Sequence, residues 1–193
     1  MELRKWIALV EDEQARDNLL KWFGNSKIVD DSGQPLRVYH GTVKHFDSFK
    51  LPGRRASGGN AIFFATSPDT ANYFTRDRGH VLPCYVRIEK PFDFRDPAER
   101  AKLMAFVEKN FKKLFPGALY GPSLVQREIE NGVYAVFELA AVRQWMRRRG
   151  YDGFLARERT DGPLTIAVFS PEQVKSAVGN NGRFGADTAN LTD

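Results

Sequence analysis

The fold class this sequence predicts is α+β, and three observations predict it. Short apolar stretches with period-two alternation read as strands. Longer stretches with apolar residues three and four apart read as helices. The two kinds are interspersed irregularly, with no internal repeat, which disfavours a regular array of βαβ units.

Leu3, Trp6, Ile7 and Val10 stand at helical spacing, as do Leu19, Leu20 and Phe23, with Gly24 as a stop. These give one or two N-terminal helices within residues 1–24. Asp30-Asp31-Ser32-Gly33 is a turn cluster, and Pro35 leads into a strand from Leu36 to Tyr39. Alternation sets Leu36, Val38 and His40 on one face, so His40 ends the strand pointing inward. A glycine- and arginine-containing loop, Pro52 to Asn60, precedes a strand from Ala61 to Ala65. Ser67 followed by Pro68 is an N-cap with proline at the first helical position, opening a short helix to about Phe74.

A strand from Val81 to Glu89 ends at Lys90-Pro91, and a helix from Pro97 to Phe115 ends at Pro116-Gly117. Phe137, Ala141, Val142, Trp145 and Met146 form a core-facing stripe on a helix from Tyr134 to Arg149. Gly150 closes it. Gly153–Glu158 and Leu164–Phe169 read as paired strands around a turn at residues 159–163. From Gly179 the chain is polar and rich in glycine and asparagine, the composition of a loosely held tail. The expected organisation is one domain over residues 1–185, with 186–193 as a flexible tail.

At 193 residues, 42% apolar and 27% charged, the chain is ordinary for one soluble globular domain. No apolar run approaches the ~20 residues of a membrane-spanning helix, and the N-terminus lacks a secretory pattern. A lone cysteine, Cys84, excludes an internal disulfide and fits a reducing compartment. Three histidines and that cysteine do not make a usual zinc site, so no metal is expected. The net charge of +5 concentrates in Arg147-Arg148-Arg149 and in Lys109, Lys112 and Lys113. These read first as solvated helix faces and second as a nucleic-acid site.

The densest information lies in three pieces set in order. Tyr39-His40-Gly41-Thr42 comes first, then Ile62-Phe63-Phe64-Ala65, then Thr70-Ala71-Asn72-Tyr73; a late apolar strand, Thr165-Ile166-Ala167-Val168-Phe169, follows them. Together they resemble the NAD clamp of the ADP-ribosyltransferases, the group that includes diphtheria toxin and the poly-ADP-ribose polymerases. Tyr39-His40-Gly41-Thr42 matches that group's first motif letter for letter. Ile62-Phe63-Phe64-Ala65 is similar to the polymerases' Ile-Tyr-Phe-Ala, with Phe63 in place of a stacking tyrosine. Thr70-Ala71-Asn72-Tyr73 is similar to their Ser-Ala-Asn-Tyr.

The resemblance implies a split β-sheet core with flanking helices and NAD as a substrate, bound by Tyr39, His40, Gly41, Thr42, Phe63, Thr70 and Tyr73. His40 would hydrogen-bond the nicotinamide ribose, and the Gly41 backbone and Thr70 would hold the carboxamide. Phe63 and Tyr73 would sandwich the ring, a geometry worth about 0.5–1.5 kcal/mol per aromatic face beyond area burial.

Further stretches narrow the resemblance. Trp22-Phe23-Gly24-Asn25-Ser26-Lys27, Gly150-Tyr151-Asp152-Gly153 and the run from Val168 to Ala177 look like the ADP-ribosyltransferase domains of phage and mobile-element polyvalent proteins. That branch implies transfer of ADP-ribose to a host macromolecule in the bacterial cytoplasm, a toxin- or effector-like role, with a protein acceptor favoured over RNA.

One departure stands out. In the toxins and polymerases a glutamate opens the final strand, and Thr165 stands at that place here. Threonine neither acts as a base nor carries a stabilising negative charge. Glu158, on the neighbouring strand, is the candidate replacement, because the turn at 159–163 would set it across from Thr165; it reads equally as a surface carboxylate between Arg157 and Arg159, and Asp161 is a weaker candidate. The expected catalytic set is therefore His40, Tyr73, Glu158 and Thr165. Two other functions remain open at this level: a catalytically silent NAD- or ADP-ribose-binding module, and an RNA 2′-phosphotransferase of the same fold.

Overall fold

A computed structural model describes residues 12–51 and 60–193. The helical pattern at Leu3–Val10 and nearly all of the loop from Pro52 lie outside the described residues. The first described helix, α1 (Glu13–Phe23), starts where Asp12 accepts hydrogen bonds from the Gln14 and Ala15 amides. Such a cap is typically worth ~1 kcal/mol. Gly24, with φ of +56°, ends the helix as the sequence suggests.

Among the described residues seven strands form one sheet: β1 (Val38–Thr42), β2 (Ile62–Ala65), β3 (His80–Val86), β4 (Pro91–Asp93), β5 (Gly153–Arg157), β6 (Leu164–Val168) and β7 (Val174–Ser176), in the order β4-β5-β6-β2-β1-β3-β7. Apart from the parallel pair β4/β5, the neighbours run antiparallel. The sheet is split in its middle. Strands β2 and β6 pair over four positions and β1 and β3 over five, but β1 meets β2 only at Tyr39 opposite Ala65. A backbone ladder that parts there opens a gap between the two halves, and a cleft lies over it.

The helices are α2 (Pro68–Asn72), α3 (Pro97–Leu114), α4 (Pro122–Asn131), α5 (Tyr134–Phe137) and α6 (Ala140–Arg148). Ser67 caps α2 by accepting from the Thr70 amide, and a 3-10 turn, Tyr73–Thr75, continues it. The expected single helix from Tyr134 to Arg149 is broken at Leu139, which is extended (ψ 122°). Packing decides the break. Phe137 of α5 stacks on Phe154 of β5 at 5.6 Å, whereas Trp145 of α6 packs on Phe92 and Phe106 at 6.1 and 5.4 Å. The two segments thus serve different parts of the core.

The C-terminal residues are not a loose tail. Lys175, fully buried, donates from Nζ to the carbonyls of Thr188 and Asn190 at 3.0 and 2.9 Å. The Leu191 amide donates to the Asp47 carbonyl at 2.8 Å, and Phe184 packs against Trp22 of α1 at 6.3 Å. Buried apolar anchors and satisfied backbone groups hold residues 186–193 against the domain, which corrects the boundary expected at residue 185.

Candidate functional site

Alternation and register together decide which side chains meet. Tyr39 and Gly41 share one face of β1, and Tyr39 is opposite Ala65. Ala65 pairs with Thr165, Phe63 with Ala167, and those two with Ala156 and Phe154 in turn. Tyr39, Gly41, Phe63, Thr165 and Ala156 therefore lie on one face. Glu158, two residues beyond Ala156, continues it. The sequence reading set Glu158 directly across from Thr165; the register gives that place to Ala156. Period two keeps Glu158 on the same side nonetheless, and the Thr165 hydroxyl donates to Glu158 Oε1 at 3.2 Å.

Tyr39, Gly41, Phe63, Glu158 and Thr165 line a cleft of about 310 Å³ with His40, Ala71, Phe74, Tyr134 and Glu138. His40 belongs to the opposite face of β1, yet its ring reaches the cleft through the gap. There it does what the missing ladder does not: Nδ1 stands 2.8 Å from the Phe63 carbonyl oxygen of β2. A carbonyl only accepts, so Nδ1 carries the proton and neutral His40 keeps Nε2 as an acceptor. Phe49, Phe64 and Phe46 surround the ring at 4.8, 5.7 and 6.5 Å. Burial among them pushes the His40 pKa below its usual value, the Phe63 carbonyl opposes that, and the nearby His80 adds to it.

His40 and Phe63 also line a second cavity of about 420 Å³ on the other side of the gap, which carries Thr42, Lys44, His45, Ser48 and Lys50. The first cleft is acidic and the second basic. Among the described residues no group of three or more His, Cys, Asp or Glu side chains could hold a metal ion.

Two of the expected clamp residues stand elsewhere. Tyr73 is 84% exposed and does not line the cleft; its neighbour Phe74 supplies the aromatic ring on that wall. The Thr70 hydroxyl is engaged with the Ser67 hydroxyl at 2.9 Å, outside the cleft lining. Asp161 is exposed in its turn and does not line the cleft either.

Glu138 was not legible as a site residue. It follows α5 at the break before α6, and it faces the cleft. Burial raises its pKa; the Arg143 guanidinium opposes the rise, and the charge of Glu158 reinforces it. Arg143 is itself buried, donating to the Phe137 carbonyl at 3.2 Å. The one available sequence signal was the position of a glutamate inside an otherwise core-facing helical stripe.

The family whose description reads ADP-Ribosyltransferase in polyvalent proteins matches residues 30–184, well over half of the chain. No curated protein and no solved structure matches at a significant level. The match begins at the turn before β1 and ends at Phe184, enclosing the split sheet, the cleft and both carboxylates. On that match and this fold, the chain belongs to the ADP-ribosyltransferase family found in polyvalent proteins.

Proposed function

We propose that the protein is a mono-ADP-ribosyltransferase that moves ADP-ribose from NAD to a host macromolecule, in a setting associated with phage or mobile elements. The observation that carries this reading is the charge division across the gap. NAD joins a cationic nicotinamide to an anionic pyrophosphate. The cleft holding Glu138 and Glu158 suits the first, and the adjoining cavity with Lys44 and Lys50 suits the second. His40, between them, offers Nε2 to a hydroxyl of the intervening ribose. Phe63 and Phe74 bring aromatic rings to the nicotinamide. Tyr73 joins them by a side-chain rotation on substrate binding.

In the reaction the bond from ribose C1′ to the nicotinamide nitrogen breaks, and its electron pair leaves with nicotinamide. Positive charge develops on the ribose, which the Glu158 carboxylate in the cleft stabilises. The acceptor nucleophile then bonds to C1′ and passes its proton to Glu138, whose raised pKa suits a general base. Incubation with labelled NAD and bacterial lysate, followed by protease or nuclease digestion, tests the reading. Label that becomes macromolecular supports transfer. NAD bound but never consumed would leave a binding module instead.

His40→Ala should lower turnover roughly ten- to hundred-fold, because a lost hydrogen bond to a positioned substrate costs about 1–3 kcal/mol. It should also change the acid response. The folded pKa of His40 lies below the ordinary 6.5, so unfolded chains bind the extra proton first. The stability this contributes is complete above about pH 6.5 and is lost as pH falls through the folded value. Melting curves from about pH 7 down to about pH 5 should fall less steeply for His40→Ala. Unchanged NAD consumption with a merely lower melting temperature would make His40 a structural residue.

Glu138 titrates in the opposite sense. Its base form appears at higher pH than that of an ordinary glutamate, so transfer should rise with pH through a midpoint higher than the usual 4.5. Glu138→Gln should remove that limb and slow transfer about 10²-fold or more. Because the folded pKa is raised, charging Glu138 costs stability as pH rises through it, so the same variant should melt higher at neutral pH. A pH profile identical to wild type would exclude the role.

A further inference from the structure

The lysine and arginine clusters divide once the chain is folded. Arg147 is used internally, donating to the carbonyls of Asn60 and Phe169 at 2.7 and 2.9 Å. Arg148 and Arg149 instead stand on one wall of a groove between α3 and α6, with Lys102, Lys109 and Lys113 on the other. The groove measures about 580 Å³, and none of the described residues that line it is acidic. Lys102 pairs with Glu99 at 2.6 Å, while the other four cations make no ion pair among the described residues. A solvated helix face ordinarily interleaves both signs. Four unpaired cations facing one another across a concave surface leave an uncompensated positive field.

We propose that this groove binds single-stranded RNA through its phosphates and leads the strand towards the catalytic cleft. Lys109 and Lys113, four residues apart, are offset by ~6 Å along α3, and Arg148 and Arg149 oppose them. A polyphosphate backbone supplies anions continuously along such a track. A duplex carries its phosphates on a rigid convex cylinder, whereas a single strand can bend its backbone to present phosphates to both walls of a concave groove. RNA presents single-stranded loops and ends.

The floor is closed by Phe106 and Trp145, rings 5.4 Å apart, with the Arg149 guanidinium lying over Trp145 at 4.3 Å. Trp145 is only 4% exposed and offers no open ring face for base stacking, and Phe106 is itself half-buried against it. Binding is therefore led by phosphate, tolerant of sequence and sensitive to salt.

The groove is joined to the active cleft by α6. Glu138 lines the cleft and Ala141, three residues on, lines the groove, whose arginines lie at the far end of roughly 14 Å of helix. A strand held there ends beside the proposed base. This favours RNA over the host protein that the sequence resemblance suggested as acceptor. The acceptor role rests on the transferase reading; binding does not, so it is measured without NAD.

The test is fluorescence anisotropy with labelled single strands of about 12 nucleotides, RNA and DNA of one sequence, beside a polyglutamate peptide. With four phosphates neutralised, RNA affinity should fall about fifty-fold between roughly 50 and 200 mM salt. Lys109→Gln/Lys113→Gln/Arg148→Gln should weaken RNA binding about ten-fold or more with an unchanged melting temperature. Lys112→Gln, outside the groove, should leave binding unchanged. Equal RNA binding by the triple variant overturns the proposal, as does a DNA strand or acidic peptide that binds more tightly than RNA. Loss of transfer with RNA binding retained would instead count against the transferase reading alone.

Discussion

Glu158→Gln is expected to reduce transfer by about 10²–10³-fold while leaving NAD binding nearly intact. Strand β6 opens with Leu164-Thr165 and carries no carboxylate where the toxins and polymerases have theirs. The hairpin returns one. Ala156 opposes Thr165, Glu158 lies two residues further along the same face, and the Thr165 hydroxyl reaches its carboxylate at 3.2 Å. Glutamine preserves shape and can still accept that hydrogen bond, so the fold and the nicotinamide pocket are undisturbed. What disappears is the negative charge, which matters most when the ribose becomes cationic. Single-turnover rates with labelled NAD, alongside NAD titrations, separate the two quantities. Full activity in Glu158→Gln would transfer the role to Glu138, the other carboxylate of the cleft.

The elements that frame the cleft were legible where chemistry is local. Ser67-Pro68 marks the start of α2 because capping and proline geometry act within one turn. His40 was legible as an inward strand-end residue because period two is a property of the strand itself. The hairpin partner of Thr165 was legible only to within two residues, since the register depends on how the turn at 159–163 closes.

What escaped sequence reading depended on distant contacts. The break before α6 has no proline or glycine to announce it, so Glu138 could not be placed in the cleft. Helix α4 follows Gly121, which has no side chain to cap it, and β4 is three residues long and begins with proline. The last residues read as a tail because their composition is polar. Lys175 satisfies their carbonyls from within the core, a pairing no local pattern signals.

The second large effect is expected at Gly41. Its φ lies outside the left-handed region, so the backbone conformation does not call for glycine. Space does. A Cβ at this position would stand 1.9 Å from the Ala71 carbonyl oxygen, 2.9 Å from its carbon and 3.2 Å from Phe74 Cβ. Helix α2 thus rests directly on β1, which brings Phe74 to the cleft and carries the chain to Tyr73. Gly41→Ala must drive α2 away by roughly an ångström, since the obstacle is buried backbone and not the end of a flexible side chain. Overpacking of this kind typically costs about 1–3 kcal/mol, or roughly 2–12 °C of melting temperature in a chain of this size.

The effect on turnover should be larger than the stability loss suggests. Displacing a positioning element by about 1 Å can cost ~10²-fold in rate. Hydrogen exchange across α2 should accelerate together with the loss of activity. If Gly41 served the carboxamide alone, NAD binding would weaken while melting and exchange stayed as in wild type. Unchanged melting, exchange and turnover in Gly41→Ala would refute the close packing of α2 on β1 as the device that shapes this cleft.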